Sequence, residues 1–167
     1  MRPLRKLFLG LWLLWMTSLL PASAQSEIDG PSLTAPGDVG IISLQSNASV
    51  RLTSERLEHL IQVQGMKIYA HIDHQLTAQS VRLALRPTVL VIFADAKTET
   101  LLMHQDQALG LDLPMKFLIW ETDDHEVFIS WNNAYYLARR HGIDANLDLL
   151  AQLSQTMFQL AKKAAQP

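Results

Sequence analysis

The sequence predicts an α+β fold, a two-layer sandwich in which helices pack on a mainly antiparallel five-stranded sheet. Two observations lead there. Short β-branched or alternating runs at 39–45, 66–73, 88–93, 115–121 and 127–131 are separated by segments whose apolar residues fall at helical spacing. The last such segment, ANLDLLAQLSQTMFQLAKKA (145–164), lines up Leu147, Leu150, Leu153, Met157 and Leu160 on one stripe. A stripe of that period needs an apolar partner, and a sheet face is the natural one.

The elements follow in the order β-α-β-β-α-β-β-α-α over residues 39–164. VGIISLQ (39–45) alternates and reads as the first strand. Ser49 is placed to cap a helix that runs to Gln64, with Leu57, Leu60 and Ile61 at helical spacing and Gly65 as its left-handed terminator. MKIYAHID (66–73) is the second strand, and Thr77–Val81 has the character of a short helical turn. Arg86–Pro87 forces an extended backbone before TVLVIF (88–93), an apolar run typical of a central strand. TETLLMHQDQAL (98–109) reads as the second helix, stopped by Gly110. MKFLIWE (115–121) and VFISW (127–131) flank the polar DDHE turn as a hairpin. Asn132 or Asn133 then caps a short helix, NAYYLARRH, closed by Gly142.

The N-terminus has a different character. A basic MRPLRK, an apolar run from Leu7 to Leu20, and Ala22 and Ala24 at the positions of an A-x-A site have the layout of a cleaved export signal over residues 1–24. The apolar run is shorter than the roughly 20 residues a membrane span needs. QSEIDGPSLTAPGD (25–38), rich in Gly, Pro, Ser and acids, reads as a flexible lead-in. The chain thus divides into a leader (1–24), a linker (25–38) and one domain (39–164), with a periplasmic or secreted destination and no membrane contact once the leader is removed.

Charge and cysteine content narrow the chemistry. The whole chain has 14 Lys+Arg against 16 Asp+Glu; the leader takes Arg2, Arg5 and Lys6 and no acid, leaving 11 against 16 and a formal charge of −5. A mildly acidic domain without a basic patch gives no footprint for nucleic acid. Cysteine is absent, which removes disulfides, thiolate catalysis, iron–sulfur clusters and covalent haem together. Stability then rests on a hydrophobic core, for which about 140 residues suffice. No phosphate loop, nucleophile elbow or cofactor fingerprint appears, and no cofactor is implied.

The densest cluster of chemically capable side chains is AHIDHQL (70–76). Strand alternation puts Ile68, Ala70, Ile72 and His74 on one face, and Tyr69, His71 and Asp73 on the other. His71 and Asp73 are then neighbours, as in a metal's outer shell or an oriented acid–base pair, while His74 points away. His71, Asp73 and His74 are the candidate metal ligands, yet zinc asks for three or four groups, and no other histidine has ligand spacing with these. The plainer reading makes Asp73 a cap for the turn after the strand, with His74 bonded to backbone or to Asp73. Arg86 is placed to pair with Asp73 or to receive an anion. His104 is a further candidate if folding gathers it. Trp120, Trp131, Tyr135 and Tyr136 would either wall a pocket or fill the core. His141, after Arg139–Arg140 at a helix C-terminus, suits the helix dipole, and Asp123, Asp124 and Glu126 read as a solvated hairpin tip.

Five segments together resemble the bacterial and archaeal family known as domain of unknown function 302. They are SVRLTSERLEHLIQVQG (49–65), IDH (72–74), LRPTVLVIF (85–93), LDLPMKFLIWE (111–121) and WNNAYYLARRHG (131–142). The resemblance spans about residues 39 to 160, and order and spacing give it its specificity. It implies a compact α+β domain, often dimeric, with no settled activity. It also directs attention to Asp73, His74 and Arg86, which match the family's positions, and away from His71. One departure stands out. The family follows the third strand with Gly-Asn-Pro and a later Gly-Thr, whereas this chain reads ADAKTET (94–100), so a ligand role of that loop does not carry over.

The functional expectation is a non-enzymatic exported domain that binds a small ligand or a periplasmic protein partner, as a homodimer. Two alternatives stand beside it. One is an enzyme using Asp73 and His74 as catalytic acid–base pair, and the other is a metal-binding periplasmic protein. The expectation of export has a direct check: N-terminal sequencing of the mature protein begins at Gln25, and a protein that keeps Leu7–Leu20 and stays in the membrane would refute it.

Overall fold

The computed structural model of the chain describes residues 40–144 and 148–167. The leader, the linker, Val39 and Leu147 of the C-terminal stripe lie outside the described residues. Five strands, β1 (Ile41–Ser46), β2 (Lys67–Asp73), β3 (Thr88–Ala94), β4 (Met115–Glu121) and β5 (Val127–Asn132), form one sheet in the order β1-β5-β4-β3-β2. Every pairing is antiparallel. The helices are α1 (Val50–Val63), α2 (His74–Ser80), α3 (Ala96–Met103), α4 (Ala134–Arg140) and α5 (Asp148–Ala164), with a single 3-10 turn at Gln107–Leu111. The α+β class and the five antiparallel strands are those the sequence predicts.

Alternation in the three central strands defines the core. Val89, Val91 and Phe93 of β3, Met115, Phe117 and Ile119 of β4, and Val127, Ile129 and Trp131 of β5 are all buried on one face. Phe93 and Phe117 stack with ring centres 5.4 Å apart, and Trp131 meets Phe117 edge-on at 5.5 Å. Two amphipathic helices cover this face. From α1 come Val50, Leu57 and Ile61; from α5 come Leu150, Leu153, Met157 and Leu160. The α5 stripe is therefore spent on the chain's own core and is not free for a second subunit. Burying each large aliphatic side chain contributes about 1.5–3 kcal/mol. The two buried hydroxyls at the α1 entry, on Ser46 and Thr53, bond to each other at 2.7 Å and so are not left unsatisfied.

Among the described residues the opposite face has no such layer. Leu90, Ile92, Leu118, Trp120 and Phe128 lie there half-buried. Leu76, Val81, Leu83 and Leu85, in and after α2, are exposed.

Boundaries follow local hydrogen bonding. Ser49 caps α1 through the Leu52 N–H, and Gly65 ends it at φ +76°, as the sequence predicts. Asn133, of the two asparagines proposed, caps α4. Gly40 also sits at positive φ, +72°, and a Cβ there would overlap the Tyr136 ring.

Three expectations change. The helix expected over 98–109 starts earlier and breaks, because Asp95 caps it at Lys97 and Thr98 while Asp106 opens the separate 3-10 turn by accepting from Ala108. The turn expected at 77–81 is a full helix that begins at His74. In β2 the register shifts at Tyr69, so Ile68 pairs with Phe93 and shares the helix-covered face with His71 and Asp73, while Ala70 and Ile72 pair with Ile92 and Leu90 on the other face. Simple alternation fails there because a bulge adds one residue to the strand.

The end of α4 is tied down by a half-buried polar clasp. The His141 ring bonds Asp112 through Nε2 at 2.7 Å and Asp106 through Nδ1 at 3.1 Å, and Arg140 reaches Asp112 at 3.2 Å. With a carboxylate on each nitrogen the ring is held as imidazolium. The Asp112 hydrogen bond, then that from Asp106, raises its pKa above the ordinary histidine value against the opposing effect of burial. Lys116 does not compete for these oxygens, since its ammonium bonds the Asp112 and Pro114 carbonyls. A folded-state pKa above the unfolded one gives stability that is complete below about pH 6.5 and is lost as pH rises through the folded value. Melts from pH 6 to pH 9 should show His141→Asn losing most of its deficit relative to the parent at the alkaline end. A deficit constant across that range would show that the clasp does not titrate.

Candidate functional site

His71 and Asp73 open onto a groove of about 580 Å³ at the N-terminal end of α1. Arg51 and Glu55 of α1 form one wall, and Gln75 of α2, Thr88 of β3 and Glu121 of β4 form the other. Its position follows from topology. β2 delivers its last residues, β4 its end, and α1 its start to the same corner of the sheet.

Most of its polar groups already have partners. His71 Nδ1 lies 2.5 Å from Glu58 Oε1 on α1, with the ring half-exposed. Asp73 Oδ1 accepts the Leu76 N–H at 2.9 Å and so caps α2, as the plainer sequence reading has it. Its carbonyl takes the Thr77 hydroxyl. Glu121 Oε1 bonds His125 Nδ1 at 2.9 Å. Both signs of charge therefore stand around one mouth, with Arg51 against Glu55, Asp73 and Glu121. Among the described residues no group of three or more His, Cys, Asp or Glu side chains is arranged to hold a metal ion.

The family model described as "Domain of unknown function DUF302" matches residues 42–160. This chain belongs to that family. The DUF302 chain is 33% identical over 119 residues to a Brucella suis protein named fluoride-specific ion channel FluC 1, a stretch covering 71% of this chain and 47% of that protein. A Brucella melitensis protein named fluoride-specific ion channel FluC 2 matches at 33% over 119 residues, 71% of this chain and 44% of its own length. The chain thus spans less than half the length of these curated relatives. The crystal structure of an uncharacterised DUF302 protein from Bacillus stearothermophilus has the same fold. Its TM-score is 0.68 at 14% identity, over 75% of this chain and 98% of that one.

Of the residues singled out in sequence, this DUF302 domain brings only His71 and Asp73 into the groove. His74 leaves the strand as the first residue of α2 and is not part of the groove wall. Arg86 does not reach Asp73. Its Nε donates to the Glu121 carbonyl at 2.9 Å and its Nη1 pairs with Asp123, which draws one acid of the hairpin tip into an ion pair. His104 ends α3 in solvent. Trp120 and Trp131 lie on opposite faces of the sheet and so share no pocket wall. Trp120 donates from Nε1 to Ser130 Oγ on the face opposite α1 and α5, and Trp131 is core. Tyr136 packs on Gly40 and carries the Arg139 guanidinium over its ring.

Sequence reasoning missed Glu99. It is only 7% exposed and accepts the Met115 N–H, lining a second cleft with Asp95 and Gln64. A signal was present, because Glu99 stands three residues before the core residue Leu102, on the same helix face. Burial pushes the Glu99 carboxyl up from its ordinary value, opposed by the Met115 N–H and the Lys116 charge. The Thr98 hydroxyl, with the backbone N–H groups of Thr98 and Lys97, holds Asp95 below its ordinary value.

Loss of a helix cap costs about 1 kcal/mol, and an exposed pair such as His71–Glu58 contributes less than about 1 kcal/mol. Denaturant melts should therefore find Asp73→Ala destabilised by about 1 kcal/mol and His71→Ala by clearly less. The reverse ranking would show that Asp73 is held for something other than capping.

Proposed function

We propose that this DUF302 chain is an exported, non-enzymatic binding module that takes a small polar ligand in the His71/Asp73 groove and works as a homodimer. The observation that supports binding is the groove itself. It is roomy and open, and both signs of charge converge on it, which suits a ligand bearing donors and acceptors together. The partnered state of its acids argues for recognition over turnover. Asp73 caps α2 and Glu121 bonds His125, so each carboxylate already has a structural partner. The alternative enzyme, with Asp73 orienting His74, is less favoured because His74 is not a wall of the groove.

The periplasmic or extracellular destination rests on the leader sequence. The homodimer rests on the sheet face that no long helix covers among the described residues, together with the exposed Leu76, Val81, Leu83 and Leu85. In this reading, the ion-channel activity in the name of the Brucella relatives belongs to the part of those proteins outside the shared 119 residues, and the shared domain is a binding module attached to it.

A thermal-shift screen of small amino acids, sugars and dicarboxylates on the purified protein tests the groove. A ligand that raises Tm in the parent should fail to do so in His71→Trp, where the indole fills the groove. No stabilising compound, or equal stabilisation of the variant, would overturn the proposed site. Sedimentation as a strict monomer at micromolar concentration would remove the homodimer.

A further inference from the structure

A second concavity lies at the other end of α1, where the ends of α1 and β3, the start of α3 and the middle of α5 meet; it encloses about 200 Å³. Its chemistry differs from that of the groove. The floor is apolar and buried, formed by Phe93, Met115, Leu153 and Met157. Into this floor projects one carboxylate, Glu99, which is 93% buried by its 7% exposure. Oε1 accepts the Met115 N–H at 3.0 Å. Among the described residues nothing bonds Oε2, and no side-chain oxygen is sealed without a partner, so Oε2 opens on the cleft.

Asp95 at the rim is in a different state. Its Oδ1 takes the Lys97 and Thr98 N–H groups and its Oδ2 takes the Thr98 hydroxyl, so its oxygens are engaged in capping α3. The free valence in the cleft is that of Glu99. A buried carboxylate is costly unless a donor or cation meets it. An enclosed apolar cavity of about 150 Å³ accommodates benzene. This cleft, open on one side and lined by both polar and apolar groups, has room for a body of about that size with a polar end. Flexible methionine walls adapt to such a body. Gln64, Gln152 and Thr156 supply further oxygens around the opening for the remaining N–H groups of an ammonium.

We propose that this cleft is a second binding site, specific for a small primary ammonium with an apolar body, the ammonium seated on Glu99 Oε2 and the body on Phe93, Met115 and Met157. Nothing in this assignment depends on the His71/Asp73 groove.

Isothermal titration of the purified protein with benzylammonium, benzyl alcohol and benzoate tests it. At pH 7.5 benzylammonium should bind at least tenfold more tightly than benzyl alcohol, and benzoate should not bind. Its affinity should fall in acid as the Glu99 carboxylate takes up a proton. Glu99→Gln keeps an acceptor for the Met115 N–H and should reduce benzylammonium to the level of the alcohol. His71→Trp should leave the titration unchanged, which separates this site from the groove. Equal binding of ammonium and alcohol, no binding of either, or an unaffected Glu99→Gln would overturn the proposal. If Glu99→Gln fails to fold, the ammonium-to-alcohol ratio in the parent protein still decides it.

Discussion

The stack of Phe93 on Phe117, with Trp131 set edge-on, is the contact on which the rest of the domain is arranged. It crosses the three central strands and gives the sheet one continuous aromatic surface. Aromatic pairs in such geometries contribute about 0.5–1.5 kcal/mol beyond their burial. More important, they fix which face the helices must cover. Leu57 and Ile61 of α1, and Met157 and Leu160 of α5, all pack into the core cluster built around it. Among the described residues, two long helices cover one face of the sheet and none like them covers the other.

That asymmetry also sets where clefts open. α1 lies across the sheet, and its two ends leave two different openings. At its start, strand ends and charged helix residues produce an open, polar groove. At its finish, the first turn of α3 sets the Glu99 carboxylate over an apolar floor. One helix thus separates a cleft lined by charged strand and helix ends from one with a buried apolar floor. The ADAKTET segment, where this chain departs from the family's glycine and proline pattern, lines the second cleft rather than the first. Asp95 caps α3 there without help from glycine or proline, since an aspartate side chain can satisfy two helix-terminal N–H groups at once.

The polar clasp around His141 has a structural explanation that sequence position alone only half supplies. A cation at a helix C-terminus is favourable for any such histidine. The pair of aspartates that surround it comes from the 3-10 turn and the segment that leaves it, 29 and 35 residues earlier in the chain. Only the packing of α4 against that region brings them together.

By itself the sequence determined what local chemistry controls. Alternating β-branched runs, the Ser49 cap, Gly65, Gly142 and the 3.6-residue stripe of α5 each act over a few residues, and each appears in the structure. The capping role of Asp73 was legible for the same reason, because its partner N–H is three residues away. Tertiary structure alone decided the rest. The bulge at Tyr69 reverses the face of Ile68, and no residue in KIYAHID announces it. Arg86 goes to Asp123 instead of Asp73 because the β4–β5 turn is brought beside it by strand pairing. Trp120 and Trp131 part to opposite faces because eleven residues and a hairpin turn separate their registers. Glu99 becomes a buried carboxylate only when β4 and α5 close over it. Side-chain partners far apart in sequence are set by the sum of strand register and helix packing, and that sum is not written in any one segment.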